Sequence, residues 1–301
     1  MTLSVSEIEQ KFTHFVVWRR KGERAVHKPL LILYALAKLQ QGAPRMIPYK
    51  ELDKPLKQLL IDFGPSRKHY HTEYPFWRLQ NDGVWELSET AKLEKRQSNT
   101  DAKKSELYRY NVAGGFSNEI YEELKHNQSM LNKIADSILS GHFPASLHDD
   151  ILQAIGLDLS GPNTMILQRR RDPNFRPRVL RAYEYQCAVC GFSMRVGDSL
   201  VGLEAAHIKW HQAGGPDTED NGLALCSLHH ALFDRGVFTL APCADMKIQV
   251  SQSAHGSPET REAMLRYHGC SIFNPQSPDF FPKETNVRWH NDNVFHTPAR
   301  C

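Results

Sequence analysis

The sequence has no long hydrophobic run. Its longest, "PLLILYALA" at 29–37, is bracketed by Lys28 and Lys38 and falls well short of the roughly 20 apolar residues needed to cross a bilayer. Strong net charge is missing too: the balance is +3, too little to argue for nucleic acid by itself. There is no repeat and no low-complexity tract. "MTLSVSEIEQKF" at the N-terminus carries two glutamates and no apolar stretch, so a secretory leader is not expected. These absences point to a cytoplasmic chain with no membrane partner. Thiols stay reduced in that compartment, so the six cysteines suggest metal before disulfides.

What is present suits a globular protein. Apolar residues make up 41% and charged residues 24%, the balance of a chain that can bury a core, and 301 residues give room for two domains. Positive charge is clustered: "QRRRDPNFRPRVLR" (168–181) sets six arginines against one aspartate, and "WRRKGERAVHK" (18–28) and "SRKHYH" (66–71) are also basic. Single runs of this kind are often solvated faces; three in one chain favour a polyanion.

Residues 1–160 read as mainly helical. "SEIE" (6–9) has capping-box spacing, and Ile8, Phe12, Phe15 and Val16 follow on one helical face. Pro29 suits the first turn of a nearly all-apolar second helix, and a third, from about Tyr49, should stop at Gly64-Pro65. "FWRLQNDGVWEL" (76–87) reads as two strands joined across Asn81-Asp82-Gly83. Three helices and a hairpin suggest a winged-helix-like unit. Further helices are expected near 117–140 and 146–155, opened by Ser117 and Ser146 and closed by Gly141 and Gly156. "DLSGPNT" (158–164) reads as the linker to a second domain, 161–301, of short strands, turns and a few helices.

Within that half, "CAVC" spaces Cys187 and Cys190 as a zinc knuckle does, and "CSLH" repeats the spacing with Cys226 and His229. Two such pairs make a closed structural Zn²⁺ site. The next residue is also a histidine. Neighbours on a helix leave the axis about 100° apart, so His230 should face a different site from His229. Between the pairs, a strand-like "LVGLEAAHI" delivers His207, and a Gly-Gly-Pro turn leads to Asn221.

The run "AYEYQCAVCGF…EAAHI…GG…DNGLALCSLHHALFD", over about 169–240, resembles the HNH endonucleases of restriction systems. That resemblance implies a ββα-metal fold with His207, Asn221 and His230 as its catalytic set. His207 would take the proton from water, since a neutral imidazole is a suitable base at cell pH. His230 would hold Mg²⁺ or Mn²⁺ at the scissile phosphate, and Asn221 would brace the loop that orients His207. Many members carry an aspartate before the first histidine as a second metal ligand. Here that residue is Ala206, with Glu204 as its candidate substitute.

"VHKPLLILYAL" (26–36) and "YPFWRLQNDGVWEL" (74–87) resemble the DNA sulfur-binding domain that precedes HNH modules in phosphorothioate-dependent restriction enzymes. The resemblance implies an apolar pocket for one sulfur, formed by His27, Lys28, Tyr74 and Pro75 with Arg78 close by. Gln97 or Asn99 would read base edges, and Arg169, Arg170 and Arg171 would add charge contacts to the backbone. The expected protein is thus α+β, a mainly helical winged-helix-like DNA-reading domain followed by a zinc-stabilised HNH domain. Its expected partner is double-stranded phosphorothioate DNA, and a homodimer is compatible with the reading. The alternatives are an HNH nuclease that reads a methylated base or plain sequence, and a zinc-stabilised DNA-binding protein without cleavage.

Overall fold

The computed structural model describes residues 4–13, 26–93, 101–159, 172–243 and 245–301. Gln97, Asn99, Arg169, Arg170 and Arg171, with Phe15 and Val16, lie outside these residues, as does most of the expected linker. Chain contacts divide the described residues into two units. The first holds 4–13, 26–93, 101–143 and 148–159, the second 144–147, 172–243 and 245–301.

The first unit begins with α1 (Val5–Thr13). Its capping box is Ser4 with Glu7, two residues before the expected one. The Ser4 amide donates to Glu7 Oε2 at 2.7 Å and the Glu7 amide to Ser4 Oγ at 3.3 Å. Ile8 and Phe12, one turn apart, are then buried. Helix α2 (His27–Gln40), with Pro29 in its first turn, buries residues on every side, as a helix apolar all round must.

After strand β1 (Ile47–Pro48) comes α3 (Tyr49–Phe63), which runs through Pro55 and stops at Gly64. Then follow α4 (Glu73–Arg78), β2 (Trp85–Leu87), α5 (Lys104–Arg109), β3 (Ala113–Phe116), α6 (Asn118–His126), α7 (Gln128–His142) and α8 (His148–Ile155). Helix α2 is central, packing on α3, α4, α6, α7 and α8.

The hairpin expected over 76–87 is not formed. Its first half is α4 and a 3-10 turn, Leu79–Asp82, ended by Gly83 at φ +69°. Phe76 and Leu79, three apart, are both fully buried. The burial period is therefore helical, and Pro75 fits the first turn of a helix. Strand β2 pairs with β3, not with its immediate predecessor, in an antiparallel sheet of order β1-β3-β2. The helix expected over 117–140 is two helices, broken at Asn127, whose side chain accepts from the Met130 amide at 3.0 Å and caps α7. Gly141 lies inside α7, while Gly156 follows α8 at φ +67°.

The second unit opens with α9 (Phe175–Ala182) and a small pair, β4 (Arg195–Val196) with β5 (Ser199–Leu200). Strands β6 (Leu203–His207) and β7 (Gly222–Cys226) are antiparallel, with His207 opposite Gly222 and Leu203 opposite Cys226. Helix α10 (Ser227–Asp234) follows directly. Strands β8 (Phe238–Leu240) and β9 (Ile248–Val250) pair, and α11 (Pro258–Ala263) and α12 (Glu284–Asn293) complete the unit. Its core joins Val179 and Leu180 of α9 to Leu223 and Leu225 of β7 and to Phe233 and Phe238. Gly222 lets α9 approach, since a Cβ there would lie 2.4 Å from Val179 Cγ2.

Candidate active site and metal centre

The consecutive β6, β7 and α10 bring together two clusters, one at His229 and one at His230, which leave the helix about 100° apart. In the first, ligand atoms of Cys187, Cys190, Cys226 and His229 lie within 4.8 Å of one another. His229 Nδ1 is 3.1 Å from Cys226 Sγ and 3.6 Å from Cys187 Sγ. Its Nε2 donates to the Ala263 carbonyl at 2.9 Å. A carbonyl only accepts, so the proton is on Nε2 and the Nδ1 lone pair faces the sulfurs, the outer-shell arrangement of metal-ligating histidines. The Cys187 group, then burial, push the Cys226 thiol up to about 11. A dication would reverse that by favouring thiolates. Three sulfurs and one nitrogen at this separation fit tetrahedral Zn²⁺.

In the second, His230 stands between two carboxylates. Nδ1 is 2.5 Å from Glu204 Oε2, and Nε2 is 3.2 Å from Asp234 Oδ2. Burial opposes charge on His230, but Asp234 and Glu204 outweigh it and push its pKa up to about 10. Ser227 Oγ donates to Glu204 Oε1 at 3.0 Å, and Ser146 Oγ donates to Asp234. The carboxylates lie on opposite ring nitrogens, so only one of them can share an ion with the imidazole.

His207, at the end of β6, lines the same cleft as His211, Trp210, His230, Asp234 and Ser146, which encloses about 50 Å³. That is room for an ion with a few waters. The His207 ring stacks on Phe175 of α9, with centroids 3.9 Å apart and planes 13° apart.

Asn221 is fully buried and closes the loop after His207. Its Oδ1 accepts from the Lys209 amide at 2.8 Å, and its Nδ2 donates to the carbonyls of Lys209 at 3.0 Å and Pro216 at 2.9 Å. Gly215 is required here because a Cβ would stand 1.8 Å from the Lys209 carbonyl oxygen and 2.9 Å from Asn221 Nδ2. Gly215→Ala should therefore destabilise this unit by about 1–3 kcal/mol, the usual cost of forced overpacking. It should also speed hydrogen exchange of the Lys209 amide. Unchanged exchange would contradict the tightness of this loop.

Part of the arginine run has an internal task. Arg178 Nη2 donates to the Asp217 carbonyl at 2.5 Å, and its guanidinium pairs with Asp172 at 2.9 Å and Glu219 at 3.2 Å. Arg176 Nη2 donates to the Leu203 carbonyl at 2.9 Å.

In the first unit, His27 and Lys28 open α2, and Tyr74, Pro75 and Arg78 lie on α4, which packs against it. Lys28 Nζ is 2.5 Å from Asp82 Oδ2. Tyr74 is exposed, its ring stacked on His71 at 4.6 Å with the Arg78 guanidinium 4.7 Å away over it, whereas Pro75 is buried. Arg78 Nε reaches both Asp101 oxygens, at 3.0 and 3.1 Å. Both cations of the expected pocket thus already have an internal carboxylate partner.

Sequence comparison decides the family. Residues 5–160, just over half of the chain, match the family model described as "ScoMcrA-like, DNA sulfur-binding domain". The chain belongs to that family. Residues 187–241 match the HNH endonuclease family, which spans both clusters around α10. No curated protein matches the chain.

Among solved structures, the sulfur-binding domain of ScoMcrA complexed with phosphorothioated DNA is 21% identical, with 50% of this chain and 94% of that one aligned at a TM-score of 0.44. The type IV phosphorothioation-dependent restriction endonuclease ScoMcrA is 19% identical at a TM-score of 0.41. That alignment covers 52% of this chain and 30% of ScoMcrA. The modification-dependent restriction endonuclease TagI is 22% identical, with 42% and 39% covered, at a TM-score of 0.30.

Reasoning from the sequence alone missed Asp234, Asp217, Phe175 and Ser146. Asp234 was open to it, being one helical turn after His230. Phe175 and Ser146 come from separate segments, and Asp217 lies in the β6–β7 loop at a spacing from His207 that signals no contact.

Proposed function

We propose that this chain is a modification-dependent restriction endonuclease whose first unit recognises phosphorothioate-modified double-stranded DNA and whose second hydrolyses a phosphodiester bond. The domain division is that of the sequence reading, 1–160 and 161–301. The observation that carries the proposal is the union, in one chain, of a sulfur-binding family match with an HNH match containing His207, Asn221 and His230. Among the described residues no helix is long and apolar enough to cross a membrane, and a cytoplasmic site of action is part of the same reading.

In this mechanism His207 removes the proton from water. His230 and Glu204 would hold Mg²⁺ or Mn²⁺, with Asp234 against the second nitrogen of His230. The ion, when bound, neutralises charge on the phosphate and on the departing oxygen. Glu204 thereby takes the part that Ala206 cannot. Asn221 fixes the loop carrying the base, as its three hydrogen bonds to Lys209 and Pro216 support. Cys187, Cys190, Cys226 and His229 would hold a structural Zn²⁺, leaving His230 to the reaction.

Recognition of sulfur is assigned to Tyr74 and Pro75, with His27, Lys28 and Arg78 beside them. Gln97 and Asn99 are assigned to base edges, and Arg169, Arg170 and Arg171 to the backbone. Sulfur is a poorer hydrogen-bond acceptor than oxygen, so an apolar wall discriminates by what oxygen loses there. Lys28 must leave Asp82 or share it to meet the backbone charge.

The test is binding of the full chain to phosphorothioate duplex and to plain duplex. Modified duplex should bind about ten- to a hundredfold tighter, the range of one unsatisfied polar group. Tyr74→Ala should remove most of that preference while keeping weak plain-DNA binding, and Lys28→Ala should weaken both. A Tyr74→Ala protein with its full preference would remove Tyr74 from the pocket.

A further inference from the structure

Asp217 lies in the loop between β6 and β7, ten residues after His207, in "GGPD". Its Oδ1 is 2.7 Å from His207 Nε2. Its Oδ2 accepts from the Asp172 amide at 3.0 Å, with His211 Nε2 at 3.7 Å. Arg178 holds the Asp217 carbonyl and binds Asp172 and Glu219 on either side. Phe175, one turn before Arg178 on α9, stacks on the imidazole. His207 is thus gripped on its face by Phe175 and at one nitrogen by a carboxylate whose other oxygen and backbone carbonyl are themselves anchored.

We infer that Asp217 is the positioning residue of the nuclease reaction, the carboxylate that fixes the ring and tautomer of the base. The inference rests on the reading of His207 as that base. A carboxylate only accepts, so the proton of neutral His207 sits on Nε2 and its lone pair on Nδ1. When Nδ1 takes a proton from water, Asp217 stabilises the imidazolium that results, and Asp217 itself stays ionised. Burial raises the Asp217 carboxyl, but the Asp172 amide and His207 outweigh it and hold it below the ordinary range. The groups facing this pair are Asp172, His211, Arg178 and Glu219, with His230 and Asp234 across the shared cleft and Phe175 uncharged.

The experiment compares the full chain, Asp217→Asn, Asp217→Glu and His207→Ala in single-turnover cleavage of a bound modified duplex from about pH 5 to 9. Asp217→Asn keeps the size of the side chain but offers an amide that can face Nε2 with either end. Its cleavage rate constant should fall on the order of 10²- to 10⁴-fold, with duplex affinity and zinc content within about twofold of wild type. The acidic limb of its pH profile should move to lower pH, since the imidazolium has lost its carboxylate. Asp217→Glu should recover at least about tenfold over Asp217→Asn.

A merely structural role would lower the rate without moving the limb and would not distinguish Glu from Asn. If His207→Ala is inactive while Asp217→Asn cuts within about threefold of wild type, or keeps its acidic limb, Asp217 is not the positioning group. If His207→Ala also cuts normally, the reading of the base fails, and this inference with it.

Discussion

Replacing His207 with alanine is expected to abolish cleavage and leave the rest of the protein's chemistry in place. His207 is nearly buried, stacked on Phe175 and directed into the cleft that holds His230. It is in neither the Cys/His group nor the His230–Glu204 pair, so in the proposed mechanism its loss removes the base and no ligand. General base catalysis contributes about 10²- to 10⁴-fold, and cleavage should fall at least that far. Duplex affinity should stay within about twofold and zinc content unchanged. His230→Ala should be equally inactive for another reason, since it removes the donor between Glu204 and Asp234. Gel-based cleavage, filter binding and elemental analysis separate the two causes. Retention of more than about a tenth of the wild-type rate by either variant, a difference below about 1.4 kcal/mol, would contradict the assignment.

The second large effect concerns folding. Cys226 ends β7 and stands at the N-cap position of α10, opposite Leu203 on β6 and in the same buried core as Leu225 and Phe233. Replacing it with serine withdraws one of four converging donor groups, the ones proposed to hold Zn²⁺, where strand, helix and core meet. Structural zinc contributes about 10–16 kcal/mol of apparent binding energy in small domains, and much of it is folding energy. Cys226→Ser is therefore expected to lose its zinc and unfold the second unit. The first unit, whose core around α2 contains none of these ligands, should keep its structure. Elemental analysis with limited proteolysis checks this. A folded, protease-resistant Cys226→Ser protein, or zinc-free wild type with full stability, would show that the four residues are not a structural metal site.

The chemistry was more legible than the scaffold. Repeated x₂ spacing marked Cys187, Cys190, Cys226 and His229, and helix geometry alone set His230 against His229. Both depend on separations of one to three residues, which local backbone geometry converts directly into distance. The hairpin at 76–87 failed because Asn81-Asp82-Gly83 suits a hairpin turn and a helix end equally. The burial of Phe76, edge-on to Tyr49, and of Leu79, invisible in the local pattern, selects the helix. The capping box of α1 was displaced by two residues because Ser4-Glu7 and Ser6-Glu9 have the same spacing. The Asp217 contact was beyond local reading altogether. It spans ten residues across the β6–β7 loop, and the loop is held in place by Asp172 and Arg178, which lie some 40 residues earlier. Arg169, Arg170 and Arg171 of the basic run at 168–181 are assigned to DNA, whereas Arg176 and Arg178 of the same run bond to the protein itself.

Cleavage of three otherwise identical duplexes by the full chain with Mg²⁺ or Mn²⁺ is the most direct test: one duplex plain, and one for each phosphorothioate stereoisomer. Charge and shape are nearly the same in all three, so only contact with the sulfur atom separates them. One stereoisomer should be cut at least about tenfold faster than the plain duplex under limiting enzyme. The other should behave like plain DNA, because its sulfur points away from the wall at Tyr74 and Pro75. Equal cleavage of all three would contradict sulfur-dependent restriction.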